Sequence, residues 1–320
     1  MTKTKRRNTD QGLKTGFPFQ MEMNMRALFS AFLGGLILVS TTLANAQDID
    51  WQTVDSTLGR KPAVSGDVHR YGFPRNDLKV TLDGVSIAPA LALGGWLAFK
   101  PDHGGTMVMG DLVLLDTEIN PVMSKLIEGG LEVTAIHNHL LRATPATFYL
   151  HVGGHGDAVK LASTLHDALA QSKTPLATPT TAAATSPLDL DTAQIDQIIG
   201  AKGHANAGVY QIGVARREEI TMEGMAIAPA GPMGLATGIN FQPTGGGKAA
   251  ITGDFVLTGD EVNPVVKALR SGGIEVTAIH SHMLEEQPRL YFVHFWANDD
   301  AIKLAQGLRS AIDKTARRAN

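Results

Sequence analysis

Two histidines one residue apart occur twice in the chain, in TAIHNHLL at 134–141 and in TAIHSHML at 277–284. Each segment reads as a β-strand, on which residues two apart project from the same face. His137 and His139 are therefore expected side by side, and so are His280 and His282. A third histidine follows each pair at the same spacing, His151 in the first case and His294 in the second. His139 and His151 lie symmetrically about Pro145, as His282 and His294 do about Pro288. If each proline marks the turn of a hairpin, those residues face one another on neighbouring strands, with Cβ atoms about 5 Å apart. Three imidazoles meeting in this way, with a fourth position open, suit Zn²⁺ or another divalent transition metal. A structural cluster of hydrogen-bonded histidines, inherited by both segments from one ancestor, fits the same pattern, and the sequence leaves both readings open.

The residues that follow separate the two segments. The first continues LLRATPATFYLH (140–151) and the second MLEEQPRLYFVH (283–294). Glu285 and Glu286 can supply a fourth ligand or a general base for a bound water, and Arg289 can hold an anionic group in its planar fork. These three are the candidate catalytic residues, and they favour the second copy; the competing reading of the two acids is a solvated hairpin tip. Glu118 and Glu261, matched acids at a helix start, fit a capping role and become ligand candidates only if that helix end faces the histidines. TGGGK (244–248) lacks the Ser/Thr and the helix of a phosphate loop, and no G-x-S-x-G is present.

These histidines belong to a larger duplication. A shift of 143 aligns 110–139 with 253–282, where 18 of 30 positions are identical, and it carries His151 onto His294. Upstream, Ile87-Ala88-Pro89-Ala90 matches Ile227-Ala228-Pro229-Ala230. A period this long indicates two homologous domains rather than a solenoid. The expected boundaries are 47–171 and 189–320, joined by an Ala/Thr/Pro-rich linker over 172–188. Within each copy an N-terminal helix is expected (51–58 and 192–199), followed by four β-favouring stretches. A helix starting at Asn120-Pro121 and ending at Gly129-Gly130 comes next, then strands through LEVTAIHNHL and TFYLHV, and a closing helix capped by Asp157. The order α-ββββ-α-ββ-α indicates an α+β fold, with an antiparallel sheet and helices packed on one of its faces.

Composition narrows the setting. A formal net charge of -3 with mixed signs offers no footprint for nucleic acid. Absence of cysteine removes disulfides, thiolate metal sites and a thiol nucleophile. Residues 1–46 read as a signal peptide: Lys3, Lys5, Arg6, Arg7 and Arg26 are basic, Ala27–Val39 is apolar, and Ala44 and Ala46 fit signal-peptidase cleavage. The apolar run is short for a membrane span, which needs about 20 residues. A periplasmic or secreted protein without a stable span after cleavage is expected. Its partner would be a small molecule or a cell-envelope ligand.

The segment HSHMLEEQPRLYFVHFWA (280–297), with its weaker twin at 137–152, resembles the LppY/LpqO family of exported proteins, a domain of unknown function. The resemblance spans nearly the whole expected mature chain as two copies and implies export, without an activity to carry over. Some members are lipoproteins, a modification that a chain without cysteine cannot receive. His280-x-His282 followed by Glu286 also resembles the first cupin metal motif, but the next histidine comes too early for the second. Two functional readings follow: a metal-dependent hydrolase centred on the second copy, and a non-catalytic exported binding module with structural histidines.

Overall fold

The computed structural model describes residues 49–177, 187–228 and 230–317. The expected signal peptide and most of the linker lie outside the described residues. Among the described residues no helix is long and apolar enough to cross a membrane.

The first copy opens with α1 (Trp51–Leu58), capped by the Asp50 carboxylate on Thr53 N and closed by Gly59 at φ +64°. Then come β1 (Ala63–Ser65), β2 (Val68–Pro74), a small hairpin of β3 (Thr81–Leu82) and β4 (Val85–Ser86), and the single turn α2 (Pro89–Ala92). The long strands β5 (Gly94–Asp102) and β6 (Gly105–Leu114) precede α3 (Asp116–Glu128), β7 (Glu132–His137), β8 (Phe148–Gly156) and α4 (Ala158–Leu169). The second copy repeats the plan with α5 (Thr192–Ile199), β9 (Gly203–Asn206), β10 (Val209–Val214), β11 (Thr221–Met222), β12 (Met225–Ala226) and β13 (Thr237–Gly245). It continues through β14 (Lys248–Leu257), α6 (Gly259–Ser271), β15 (Glu275–His280), β16 (Tyr291–Asp300) and α7 (Ala301–Ile312). Each copy forms a six-stranded antiparallel sheet of the same order, β1-β2-β5-β6-β8-β7 and β9-β10-β13-β14-β16-β15. The α+β class with helices on one face of each sheet is thus observed.

The other face of each sheet is covered by the other copy. Along β6, Val108, Leu112 and Leu114 join α4 residues in one core, while Met107 and Met109 point the opposite way. There they meet Val256, Phe292, Met283 and Leu290 of the second copy. A reciprocal cluster joins Val113, Leu140 and Tyr149 to Val209, Ala250 and Trp296. The period of two along each strand thus builds four layers, helices outside and two sheets face to face. Exposed Arg142 adds a polar clasp at the rim, gripping Asp83 of its own copy and Glu275 of the other at 2.8–3.1 Å.

Two expectations are corrected. The helices around Pro121 and Pro264 do not begin at Asn-Pro; they run Asp116–Glu128 and Gly259–Ser271 with the proline inside. Glu118 and Glu261 fix the earlier start, accepting hydrogen bonds from Leu115 N (2.9 Å) and Thr258 N (2.8 Å). The hairpin register is also different. Ala135, not His139, lies opposite His151, and Ala278 lies opposite His294. A bulge between Val133 and Ala135, matched between Val276 and Ala278, shifts the pairing, and strand β7 already ends at His137.

Candidate metal centre

His137 is the last residue of β7 and His280 the last of β15, so both stand where an edge strand opens into a loop. His139 and His282 belong to those loops. Each loop is pinned by the small hairpin of its own copy: Thr81 and Thr144 exchange two backbone hydrogen bonds, and Thr221 and Gln287 do the same. Across the copies, Thr134 Oγ1 donates to the His282 carbonyl at 2.6 Å. His151 and His294 lie within β8 and β16, 5% and 2% exposed, on the face turned toward the partner sheet.

The six predicted histidines come together as one group, not as two trios. His137 stacks on His280 with ring centroids 3.5 Å apart, and these are matched positions of the duplication. His139 stacks on His294 at 3.6 Å, and its image, His282 on His151, at 3.7 Å. A pair that maps onto itself and two pairs that map onto each other define a pseudo-twofold axis through His137 and His280. Ligand nitrogens of His137, His139, His280, His282 and His294 all lie within 4.8 Å of one another.

The chemistry of these nitrogens fits a metal. Nδ1 of His137 and Nε2 of His151, His280, His282 and His294 are buried without a hydrogen-bond partner. Such atoms are costly to leave unsatisfied. His294 Nδ1 donates to the Gly253 carbonyl at 3.1 Å, which leaves Nε2 with its lone pair free. Burial favours the neutral form that a metal requires in all six rings: it pushes His137 down to about 3, with help from His280, and His280 down to about 4. Burial and the neighbouring imidazoles hold His139, His151, His282 and His294 well below the ordinary value.

Beside the histidines lies a cavity of about 850 Å³ between the copies, lined by His139, His151, His282 and His294 together with Asp111, Asp254 and Tyr149. Burial, then repulsion from Asp254, raises the Asp111 carboxyl to about 8 against the pull of Arg70. Burial raises Asp254 to about 7. Arg70 lies 3.8 Å over the Trp96 ring and donates to the Pro232 carbonyl. Its counterpart Gln211 donates to the Ala90 carbonyl of the first copy at 2.8 Å, so one wall is cationic and the other neutral.

The three residues expected to be catalytic lie elsewhere. Glu286 is fully buried, accepting from Leu290 N at 2.8 Å and facing Arg289 Nη1 at 3.3 Å. Arg289 also donates to the carbonyls of Met283 and Leu284. Together they shape the loop that carries His282; Glu285 is exposed on that loop. None of the three lines the cavity. Glu118 and Glu261 turn away as well, into Arg75 and Arg216. The residues missed at sequence level are Asp111 and Asp254, although the repeated Gly-Asp pairs 110–111 and 253–254 marked both.

The glycines of those pairs are required by close strand approach. A Cβ on Gly253 would lie 2.0 Å from the Gly238 carbonyl oxygen, a backbone atom that cannot step aside. Gly253→Ala is expected to cost about 1–3 kcal/mol or more through forced backbone shifts. Urea midpoints at constant slope would measure it.

A family model described as Domain of Unknown Function (DUF1259) matches residues 52–171 and again 193–314. No curated protein matches the chain. Among solved structures it is similar to a trimeric bacterial microcompartment shell protein, PduB, at 14% identity over 80% of this chain and 91% of that one, with a TM-score of 0.21. EtuB from Clostridium kluyveri matches at 10% identity over 79% and 88%, with a TM-score of 0.19. Likeness at this level carries no argument about fold or function.

Proposed function

This chain belongs, through both of its copies, to the DUF1259 family of unknown function, and from its site we propose that it holds a divalent transition metal between the copies. Zinc is the first candidate. The reading extends to metal-dependent hydrolysis of a small polar molecule, or of a cell-envelope ligand, admitted through the cavity. One observation carries it: five imidazoles from both copies offer nitrogens within 4.8 Å of one another, and ring nitrogens of His137, His280, His282 and His294 among them are buried without a hydrogen-bond partner. A bound ion supplies Lewis acidity there. The protein's own residues hold neutral ligands in place, through Gly253 behind His294 and through the pinned loops behind His139 and His282. Four of the rings reach the cavity wall, so a ligand in the cavity would meet the site directly. Action in the periplasm or outside the cell is part of the proposal, supported by the basic, apolar and Ala44-x-Ala46 segments and by the LppY/LpqO resemblance of 280–297.

The test is metal content of full-length protein purified without a histidine tag. At least one equivalent of transition metal per chain is expected, with a melting temperature that falls on chelation and recovers on adding Zn²⁺. A ligand at about 1,000 times its dissociation constant stabilises the folded state by about 4 kcal/mol, so the shift is easily measured. Metal-free protein whose melting is indifferent to chelator and to added zinc or cobalt would sink the proposal.

A further inference from the structure

The grouping of the six rings bears on how many ions they hold. The central pair, His137 and His280, lies on the pseudo-twofold, and the outer pairs, His151–His282 and His139–His294, flank it. Each outer pair has a carboxylate of its own. The β6–β8 register places Asp111 opposite His151, and the β14–β16 register places Asp254 opposite His294. The outer four imidazoles and the two carboxylates line the cavity, and the central pair does not.

Each end of the site therefore presents two imidazoles, one from each copy, and one carboxylate. Two histidines and one carboxylate on one face of an ion leave its other positions open to a substrate. Asp111 Oδ1 and His151 Nε2 lie 3.8 Å apart, both buried and neither with a hydrogen-bond partner. Ligand atoms each about 2.1 Å from one ion stand roughly 3–4 Å apart, so this pair is spaced to share one. At the other end His294 Nε2 is likewise buried and unpartnered.

We propose a two-ion centre, with one ion held by Asp111, His151 and His282 and the other by Asp254, His294 and His139. The inference rests on the metal reading above and adds the number of ions and the carboxylate ligands. It also indicates the substrate class. Two cations at the cavity wall, with the Arg70 guanidinium beside them, favour a molecule that presents anionic oxygens, which paired ions clamp from both sides. The rival arrangement is a single central ion on the five converging histidines, which leaves His151 and both carboxylates idle.

Full-length protein, stripped with chelator and titrated with Co²⁺ alone, separates the two by visible absorption and by metal analysis. Two equivalents per chain are expected for the native protein, and one each for Asp111→Asn and Asp254→Asn. Magnetic coupling between the two bound ions in the native protein provides a readout that needs no variant. One equivalent in the native chain, or two retained in both variants, overturns the two-ion centre and leaves the metal reading standing. No bound cobalt at all overturns the metal reading itself.

Discussion

Arg75→Ala is expected to be among the most destabilising single changes in the first copy, by about 3–5 kcal/mol. Arg75 is fully buried and donates to the Val113 carbonyl at 2.7 Å and to both Glu118 oxygens at 2.7 and 3.1 Å, with Asp77 at its other edge. Truncation leaves the Glu118 carboxylate buried without its cation, and uncompensated buried charge is what makes such losses large. Glu118 also caps α3 and accepts from Lys173 N at 2.9 Å, so the damage spreads from sheet to helix to chain exit. Replacing both partners, Arg75→Met with Glu118→Gln, should cost less than Arg75→Ala, because no deeply buried carboxylate is left without its cation, and Asp77, partly open to water, can be solvated. The same pair recurs as Arg216 and Glu261, so the effect should repeat in the second copy.

Acid should act on the same pair. Burial alone would raise the Glu118 carboxyl, but Arg75 and the N–H groups of Leu115 and Lys173 outweigh it and hold it below its ordinary value of 4.5. A carboxyl depressed in the folded state contributes stability that is complete above its unfolded value and is lost as pH falls through the folded one. Urea midpoints should therefore drop on acidification below about 4.5 in the native protein. In Arg75→Ala that drop should shrink, since burial then pushes Glu118 upward. An unchanged acid limb would show that the pair is not its source.

Much of this architecture was legible because the signals are local. The capping Asp157 and the Gly129-Gly130 pair that ends α3 act within a turn of the chain. The helix start at Asn120-Pro121 misled because a distant residue helps decide it: buried Arg75 draws in Glu118, whose carboxylate then accepts from Leu115 N a turn earlier. The hairpin register failed for a related reason, a bulge that no residue type announced. The pooled site is the largest gap. Which copy each histidine joins depends on packing between sheets, a relation with no local period. A signal was present all the same. TMVMGDLVLL is apolar on both faces, as a strand covered on both sides must be, and Asp111 is the charged residue inside it. A charged residue in such a run, repeated at Asp254, marks a place where the inner face lines a cavity rather than core.

Splitting the chain should abolish the site altogether. Residues 47–177 and 187–320, produced as separate polypeptides, are expected to hold no metal alone and to recover it when mixed. Each end of the site takes an imidazole from each copy, so neither half owns a complete ligand set. The halves also lose the cover over their inner faces. Met107 and Met109 in one, Val256 and Phe292 in the other, are buried only where the sheets meet. Each such side chain returned to water costs about 1.5–3 kcal/mol, enough together to drive reassociation or aggregation of the isolated halves. Scattering mass and metal content, measured on each half and on the mixture, check this directly. A single half that retained its full share of metal would reinstate the trio on one hairpin and contradict ligand sharing across the axis.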